Sequence, residues 1–481
     1  MMNCPDLLVI DYVKCGRLKD ALHLYDRVAS QEDFSSSSSS SHLPAPAYVA
    51  LLRACAILRD LQRGMRLHEQ ISSTGLLACD LFIGSTMISM YAKCGSLRRA
   101  QLVFDRLPVR NVVSWNALIR GYAEDGRGND ALHYFELMKL QGISPDAYTF
   151  SSIFKSCGIT RDIQKGQEFH SEIARRGLLG KNVIVGSTVV DMYAKCGMLC
   201  KAHEVFNNLL VRDAVSWTTL IGGYADSGYG EEALEIFKRM QSENVLPDAA
   251  TFVCCFKACG SIGAIDKGQE MHTEVARNRL LEKNKIMGSA IVDMYVKCGF
   301  LTKAREVFDK LLVRNVVCWT TLITGYVEHG HGEEALDLFE QMGSEGISPN
   351  AVTYVSCLRA CGSIEAIEKG QTMHGHIERT GLLESDGTIG NALVDMYAKA
   401  GLLTKAQDVF DKLPIQNVFS WNALISGYVE YKHEEAAVEC FTEMKLKGIS
   451  PDAVTFVCIL KACGNLGAKN KGIEIHAEMS R

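Results

Sequence analysis

In this chain of 481 residues His170-Ser171-Glu172, His272-Thr273-Glu274 and His476-Ala477-Glu478 each set a histidine two residues before a glutamate. That order opens the signature of zinc-dependent cytidine deaminases, in which a histidine and two cysteine thiolates hold Zn2+ while the glutamate moves protons. The two thiolates come from a C-x-x-C pair, and the chain has none. Cys255 with Cys259, Cys357 with Cys361, and Cys196 with Cys200 stand four apart and could share a helix face, but two thiols make half a metal site. A phosphate-binding glycine loop and a nucleophile motif are also missing. No catalytic residue, metal ligand or cofactor is therefore assigned, and the chain reads as a non-enzyme.

The histidines recur for another reason. Trp115, Trp217, Trp319 and Trp421 are 102 residues apart, and the same interval relates Cys55, Cys157, Cys259, Cys361 and Cys463, and also His68, His170, His272, His374 and His476. Ala45 to Asp452 is thus four copies of a 102-residue unit, each dividing into pieces of 36, 31 and 35 residues, as in 147–182, 183–213 and 214–248. Cys94, Cys196 and Cys298 recur too and give way to Ala400, which points to a small buried residue rather than a ligand.

Each piece holds two apolar stretches at helical spacing, for instance Trp217, Leu220, Ile221 and Tyr224, then Ala233, Leu234 and Phe237. Gly228 and Gly230 mark the turn between them, and Pro-Asp or Arg-Asn/Asp marks the junction, where Asp or Asn can cap the coming helix. A helix pair of this size cannot bury its apolar stripe alone, so it must stack on its neighbours. The expected fold is all-α: an α-solenoid (superhelix) of stacked helix-turn-helix repeats. Twelve whole units fill 45–452. Residues 1–30 read as a degenerate repeat, 31–44 as a Ser-rich disordered insertion, and 453–481 as an incomplete copy of the 36-residue piece.

Composition sets the bounds. With 47% hydrophobic and 22% charged residues, the chain reads as folded and helical. No apolar run of membrane-spanning length appears, so no membrane partner is expected. The cysteines read as reduced thiols. The first seventeen residues, with Asp6 and Asp11 against Lys14 and Arg17, read as neither a transit nor a signal peptide. A formal charge of -5 weighs against nucleic-acid binding, although local grooves can still be positive.

The tetratricopeptide signature is partly met by Trp115, Leu118, Tyr122, Ala131, Phe135 and Pro145. It fails where that signature needs glycine and this chain has Ile119, Ile221, Ile323 and Ile425. The cyclic 36, 31, 35 pattern, with SWNALI-x-GY, NALVDMYAKAG-x-L and ACG-x-x-x-A-x-x-KGQ-x-x-H, resembles instead the plant pentatricopeptide repeat proteins of the PLS subclass. The resemblance implies a right-handed superhelix and sequence-selective binding of single-stranded RNA in mitochondria or chloroplasts. The role it most often implies is recognition of sites for C-to-U editing. Editing members usually continue into a DYW deaminase domain, and none follows Arg481 here: the sequence is then a fragment, or the deaminase or an editing accessory protein acts in trans, or the protein only protects or remodels RNA.

In that family a base is read by the fifth and last residues of a repeat. Carried onto this sequence, the fifth positions are Ser85, Asn116, Ser187, Thr218, Ser289, Thr320, Asn391 and Asn422. Their last positions are Asn111, Asp146, Asp213, Asp248, Asn315, Asn350, Asn417 and Asp452. A short hydroxyl leaves room for a purine and Asn reaches a pyrimidine, while Asp against Asn exchanges acceptor for donor. Under the family's rule the pairs read A, U, G, G, A, A, C, U. The 36-residue units have Val49, Ser151, Val253, Val355 and Val457 at the fifth position, and valine cannot hydrogen-bond a base, so each is left as a gap. The implied partner is 5′-AUxGGxAAxCU-3′. The family also wedges bases between second-position side chains, here Val113, Ile184, Val215, Ile286, Val317 and Phe419. Two rival readings stand beside this one. Asp and Asn at a helix start can simply be caps, and the array can be a peptide-binding scaffold of the tetratricopeptide kind.

Overall fold

The computed structural model describes residues 4–32, 43–179, 182–278, 280 and 285–479; the serine tract 35–41 lies outside them. The chain divides into two compact units, 1–251 and 252–481, and among the described residues both are wholly helical. Each is an α-solenoid of helix pairs.

In the first unit the pairs run Cys4–Lys14 with Leu18–Glu32, Ala45–Leu58 with Leu61–Ser73, Leu81–Lys93 with Leu97–Arg106, and Val112–Glu124 with Gly128–Leu140. Ala147–Thr160 with Ile163–Arg175, Val183–Lys195 with Leu199–Asn207, and Ala214–Asp226 with Gly230–Ser242 follow. The helix Ala249–Ile262 crosses the division, and the second unit continues with Ile265–Arg277. Its further pairs are Lys285–Lys297 with Leu301–Asp309, Val316–Glu328 with Gly332–Ser344, and Ala351–Ser363 with Ile367–Thr380. Gly387–Lys399 with Leu403–Asp411, Val418–Glu430 with Glu434–Leu446, and Ala453–Leu466 with Lys469–Met479 complete it.

The unit lengths have a plain origin. In the second and third copies the second helix of the 31-residue piece has 9 residues and that of the 35-residue piece has 13, which accounts for the four-residue difference. A short second helix leaves space beside it, and the next first helix fills it with tryptophan. Trp115, Trp217, Trp319 and Trp421 are all buried, each edge-on to a phenylalanine of that short helix: Phe104, Phe206, Phe308 and Phe410, with ring centroids 4.7, 4.6, 4.6 and 4.5 Å apart. Such geometry adds to the area the indole buries.

The arginine of the Arg-Asn/Asp junction has a use that its spacing alone does not disclose. Arg212 reaches back to the carbonyls of Phe206 (3.3 Å) and Asn207 (2.8 Å), and Arg314 does the same at Phe308 (3.3 Å) and Asp309 (2.9 Å). A cation on the exposed carbonyls of a helix C-terminus is favourable, and each guanidinium also lies over its phenylalanine ring. These arginines therefore close the short helix and set the register of the residue that follows, which is the last position of the unit.

One close approach explains a recurring glycine. A Cβ on Gly166 would stand 2.6 Å from Met192 Sδ, and one on Gly268 would stand 2.7 Å from Met294 Sδ, so a side chain there would have to push aside the methionine that the next first helix lays against the second helix of the 36-residue piece.

Candidate nucleic-acid interface

Within each unit the first helices of successive pairs pack against one another, so their N-terminal turns form a row. Everything assigned to base reading lies in or beside that row.

The last-position residue of each 31- and 35-residue unit is the N-cap of the next first helix. Asn111 accepts from Ser114 N–H, Asp146 from Thr149, Asp213 from Ser216 and Asp248 from Thr251. Asn315 accepts from Cys318, Asn350 from Thr353, Asn417 from Ser420 and Asp452 from Thr455. Capping satisfies an otherwise orphaned N–H, and it needs an oxygen. In every case Oδ1 is the acceptor, as at Asp248 (2.8 Å) and Asn350 (2.9 Å). The cap therefore fixes the orientation of the side chain and leaves the other atom as the variable one: a donor amide in Asn, an acceptor oxygen in Asp. Capping and reading are compatible, because they use different atoms of one group.

The fifth positions fall into two groups. In the 35-residue units they are tied to the next helix start. Asn116 Nδ2 donates to Asp146 Oδ1 (3.0 Å) and Oδ2 (3.1 Å), while Thr149 Oγ1 donates to Asn116 Oδ1 (2.6 Å). Asn422 makes the same bonds to Asp452 (2.9 Å) and Thr455 (2.6 Å). Thr218 and Thr320 reach the threonines at the same place, Thr251 and Thr353, both at 2.7 Å, and those threonines donate to Asp248 (2.9 Å) and Asn350 (2.8 Å). Burial pushes the Asp452 carboxyl up, but the bonds from Thr455 and Asn422 outweigh it and hold the group below its usual range.

In the 31-residue units the fifth hydroxyl turns back on its own helix. Ser85 donates to Phe82 carbonyl (3.1 Å), Ser187 to Ile184 (3.0 Å) and Ser289 to Ile286 (2.8 Å). Asn391 has a buried Oδ1 with no partner among the described residues. The structure thus brings fifth and last positions together in the 35-residue units; among the described residues it shows no such bond in the 31-residue ones. Ser85, Ser187, Thr320 and Asn422 are less than a tenth exposed, so these positions lie in the seam between first helices rather than on an open surface.

The second positions are open. Val113, Ile184, Val215, Ile286, Val317 and Phe419 are 46 to 67% exposed. The row also contains Phe82, Tyr148, Val352 and Val454, which the sequence reading omitted. All four occupy the second position of their units, and that register was the signal that could have found them. At the fifth position of the 36-residue units Val457 is exposed, while Val49, Val253 and Val355 are half-buried and the Ser151 hydroxyl has no partner among the described residues.

The residues that resemble a deaminase site are used for packing. His68, His170, His272 and His374 meet Tyr91, Tyr193, Tyr295 and Tyr397 through Nδ1 at 2.8 to 3.0 Å, and burial lowers the pKa of each imidazole. Burial likewise pushes the thiols of Cys55 and Cys157 up to about 12, so they stay protonated. Cys94, Cys196 and Cys298 are half-buried, each with its sulfur 3.8 Å from the carbonyl of Cys55, Cys157 or Cys259.

Comparison with known proteins agrees with this repeat. The PPR repeat family model matches residues 110–158, 212–261, 314–363 and 416–465, and the PPR repeat model matches 85–112, 289–316 and 391–418. A chloroplastic pentatricopeptide repeat-containing protein of Arabidopsis thaliana is 35% identical over 419 residues, covering 87% of this chain and 67% of that protein. A mitochondrial one from the same plant is 33% identical over 477 residues, covering 99% of this chain and 46% of its own. The chain spans about half the length of most of the curated relatives it matches. Among solved structures, PPR10 in complex with an 18-nt psaJ RNA element has the same fold at 16% identity, with a TM-score of 0.55 over 98% of this chain and 83% of that one. By its repeats, its fold and its relatives, the chain belongs to the pentatricopeptide repeat family.

Proposed function

We propose that this chain is a sequence-selective single-stranded RNA-binding array of the PLS subclass. Each 31- or 35-residue unit reads one base, and the array selects an organellar transcript. The relatives named above are mitochondrial or chloroplastic, which supports that location. C-to-U editing is the role, with this chain recognising the site. The observation that carries the reading is the capped last position: Oδ1 is held by the helix it starts, so exchange of Asp for Asn changes only the atom left over. That is an economical way to vary specificity without disturbing the fold. The apolar row beside it in each compact unit, Val113, Ile184 and Val215 in the first and Ile286, Val317 and Phe419 in the second, offers flat contacts for bases lifted from a stack.

The target is 5′-AUUGGUAAUCU-3′, with uridine placed in the three gaps. Binding is measured by fluorescence anisotropy against the same oligonucleotide with both guanosines changed to adenosine. The expected preference for guanosine is roughly ten-fold or more, since a matched polar contact to a base is worth about 1–3 kcal/mol. Equal affinity would remove the reading code.

A further inference from the structure

The 36-residue units have no side chain at the fifth position that can read a base, apart from Ser151, yet they keep the same place in the stack. Their ninth position has its own regularity: Arg53, Lys155, Lys257, Arg359 and Lys461. Second, fifth and ninth positions lie three and four residues apart, so they share one helix face. That face holds the exposed second-position row and the fifth positions already described. Arg53, Lys257, Arg359 and Lys461 are exposed and Lys155 is half-buried. Among the described residues, Arg53, Lys155, Arg359 and Lys461 make no ion pair.

No other unit type has this pattern. At the ninth position the 31-residue units have Ser89, Asp191, Asp293 and Asp395, and the 35-residue units have Arg120, Gly222, Thr324 and Ser426. Asp191, Asp293 and Asp395 hold the lysine one turn on at 2.7 to 2.8 Å, and Arg120 holds Glu124 at 2.6 Å. Those lysines also belong to the cationic neighbourhood: the stem of Lys195 passes close to Gly158, and that of Lys399 close to Gly362, both glycines lying one turn beyond a ninth-position cation. The 35-residue units end the same helix in carboxylates, Glu124, Asp226, Glu328 and Glu430. Charge on this face is thus graded in the second, third and fourth copies, positive at the 36-residue unit and negative at the 35-residue unit, while in the first copy Arg120 offsets Glu124, in a chain whose total is -5.

We infer that the 36-residue units grip the RNA backbone where they do not read a base: each ninth-position cation neutralises one phosphate, once per three nucleotides. This rests on the RNA-binding reading above. It gives the gaps in the target a physical role, since an anionic backbone needs cations at intervals and base-reading units do not have to supply them.

The test is the salt dependence of binding to 5′-UAUUGGUAAUCUU-3′, the same target with one uridine added at each end so that the first and last 36-residue units also face a nucleotide. Each phosphate contact on a single strand contributes about 0.7 to the slope of log affinity against log salt concentration. Replacing all five with glutamine, as Arg53→Gln, Lys155→Gln, Lys257→Gln, Arg359→Gln and Lys461→Gln, should flatten the slope by roughly 3.5. The preference for guanosine over adenosine should be unchanged. The pair Arg53→Gln with Arg359→Gln should flatten it by roughly 1.4, which keeps the inference testable if the five-fold variant folds poorly. Removing charge from the second helices, Lys165→Gln with Lys369→Gln, should leave the slope where it was. A slope unchanged in the two-fold variant, or lowered equally by the second-helix pair, overturns the inference while the reading of bases stands. Failure of the unsubstituted chain to bind RNA overturns both.

Discussion

In the 35-residue units the fifth side chain is bonded to the start of the next helix; in the first three 31-residue units the serine there, Ser85, Ser187 or Ser289, is bonded to its own turn. Both place Ser, Thr or Asn at the same register, so the difference comes from the neighbour. The helix after a 35-residue unit has threonine at its third residue, Thr149, Thr251, Thr353 or Thr455, and that buried hydroxyl meets the fifth position of the unit before it. The helix after a 31-residue unit has Ser114, Ser216, Cys318 or Ser420 there. Ser114, Ser216 and Ser420 donate instead to the carbonyl of their own N-cap at 2.8 to 2.9 Å. The lesson is that a reading group can be preset by the unit after it. On the proposed reading RNA would share or displace existing bonds in the 35-residue units, whereas in the last 31-residue unit the buried Asn391 Oδ1 has no partner among the described residues, and leaving such an acceptor unpaired costs about 1–3 kcal/mol.

The strongest way to break this comparison is to remove what supports the 35-residue helix. Trp217→Ala empties a fully buried site against Phe206 and should cost about 3–5 kcal/mol in the denaturant midpoint. The equivalent register of the 31-residue unit holds Gly186. There an added Cβ meets the flexible end of Leu209 at 2.6 Å, so Gly186→Ala should stay at the low end of about 1–3 kcal/mol. If the two variants cost the same, the tryptophan is not the anchor assigned to it.

A smaller effect sharpens the comparison. Thr251→Ala removes the hydroxyl that joins Thr218 to Asp248, at a cost of about 1 kcal/mol in stability. It should also blunt the guanosine preference at that unit. Ser216→Ala removes a hydroxyl bonded only to its own cap carbonyl, so it should leave the preference at Ser187 and Asp213 intact. Equal loss of preference in both would show that the threonine does not preset the reading group.

Much of the fold was legible because its period is written in large residues. Trp217 recurs every 102 positions since a short helix precedes it each time, and the apolar spacing around it is helical. The capped last position was legible as well, because Asp and Asn before a helix state their own use. The seam was not. Which atom of Asn116 is occupied depends on a threonine 33 residues later, and no local pattern in the sequence states that the two helices meet there. The junction arginines were seen as boundary marks, but their hold on the carbonyls of Phe206 and Phe308 requires a helix that ends five residues earlier. Residues 35–41, expected to be a disordered insertion, lie outside the described part of the chain.

The most direct test of the account exchanges the atom that the cap leaves over. Asp213→Asn with Asp248→Asn keeps both helix starts capped through Oδ1 and replaces the free oxygen with an amide. The account predicts that this variant prefers the oligonucleotide carrying two adenosines over the one carrying two guanosines, the reverse of the unsubstituted chain. Retention of the original preference at unchanged stability would contradict it.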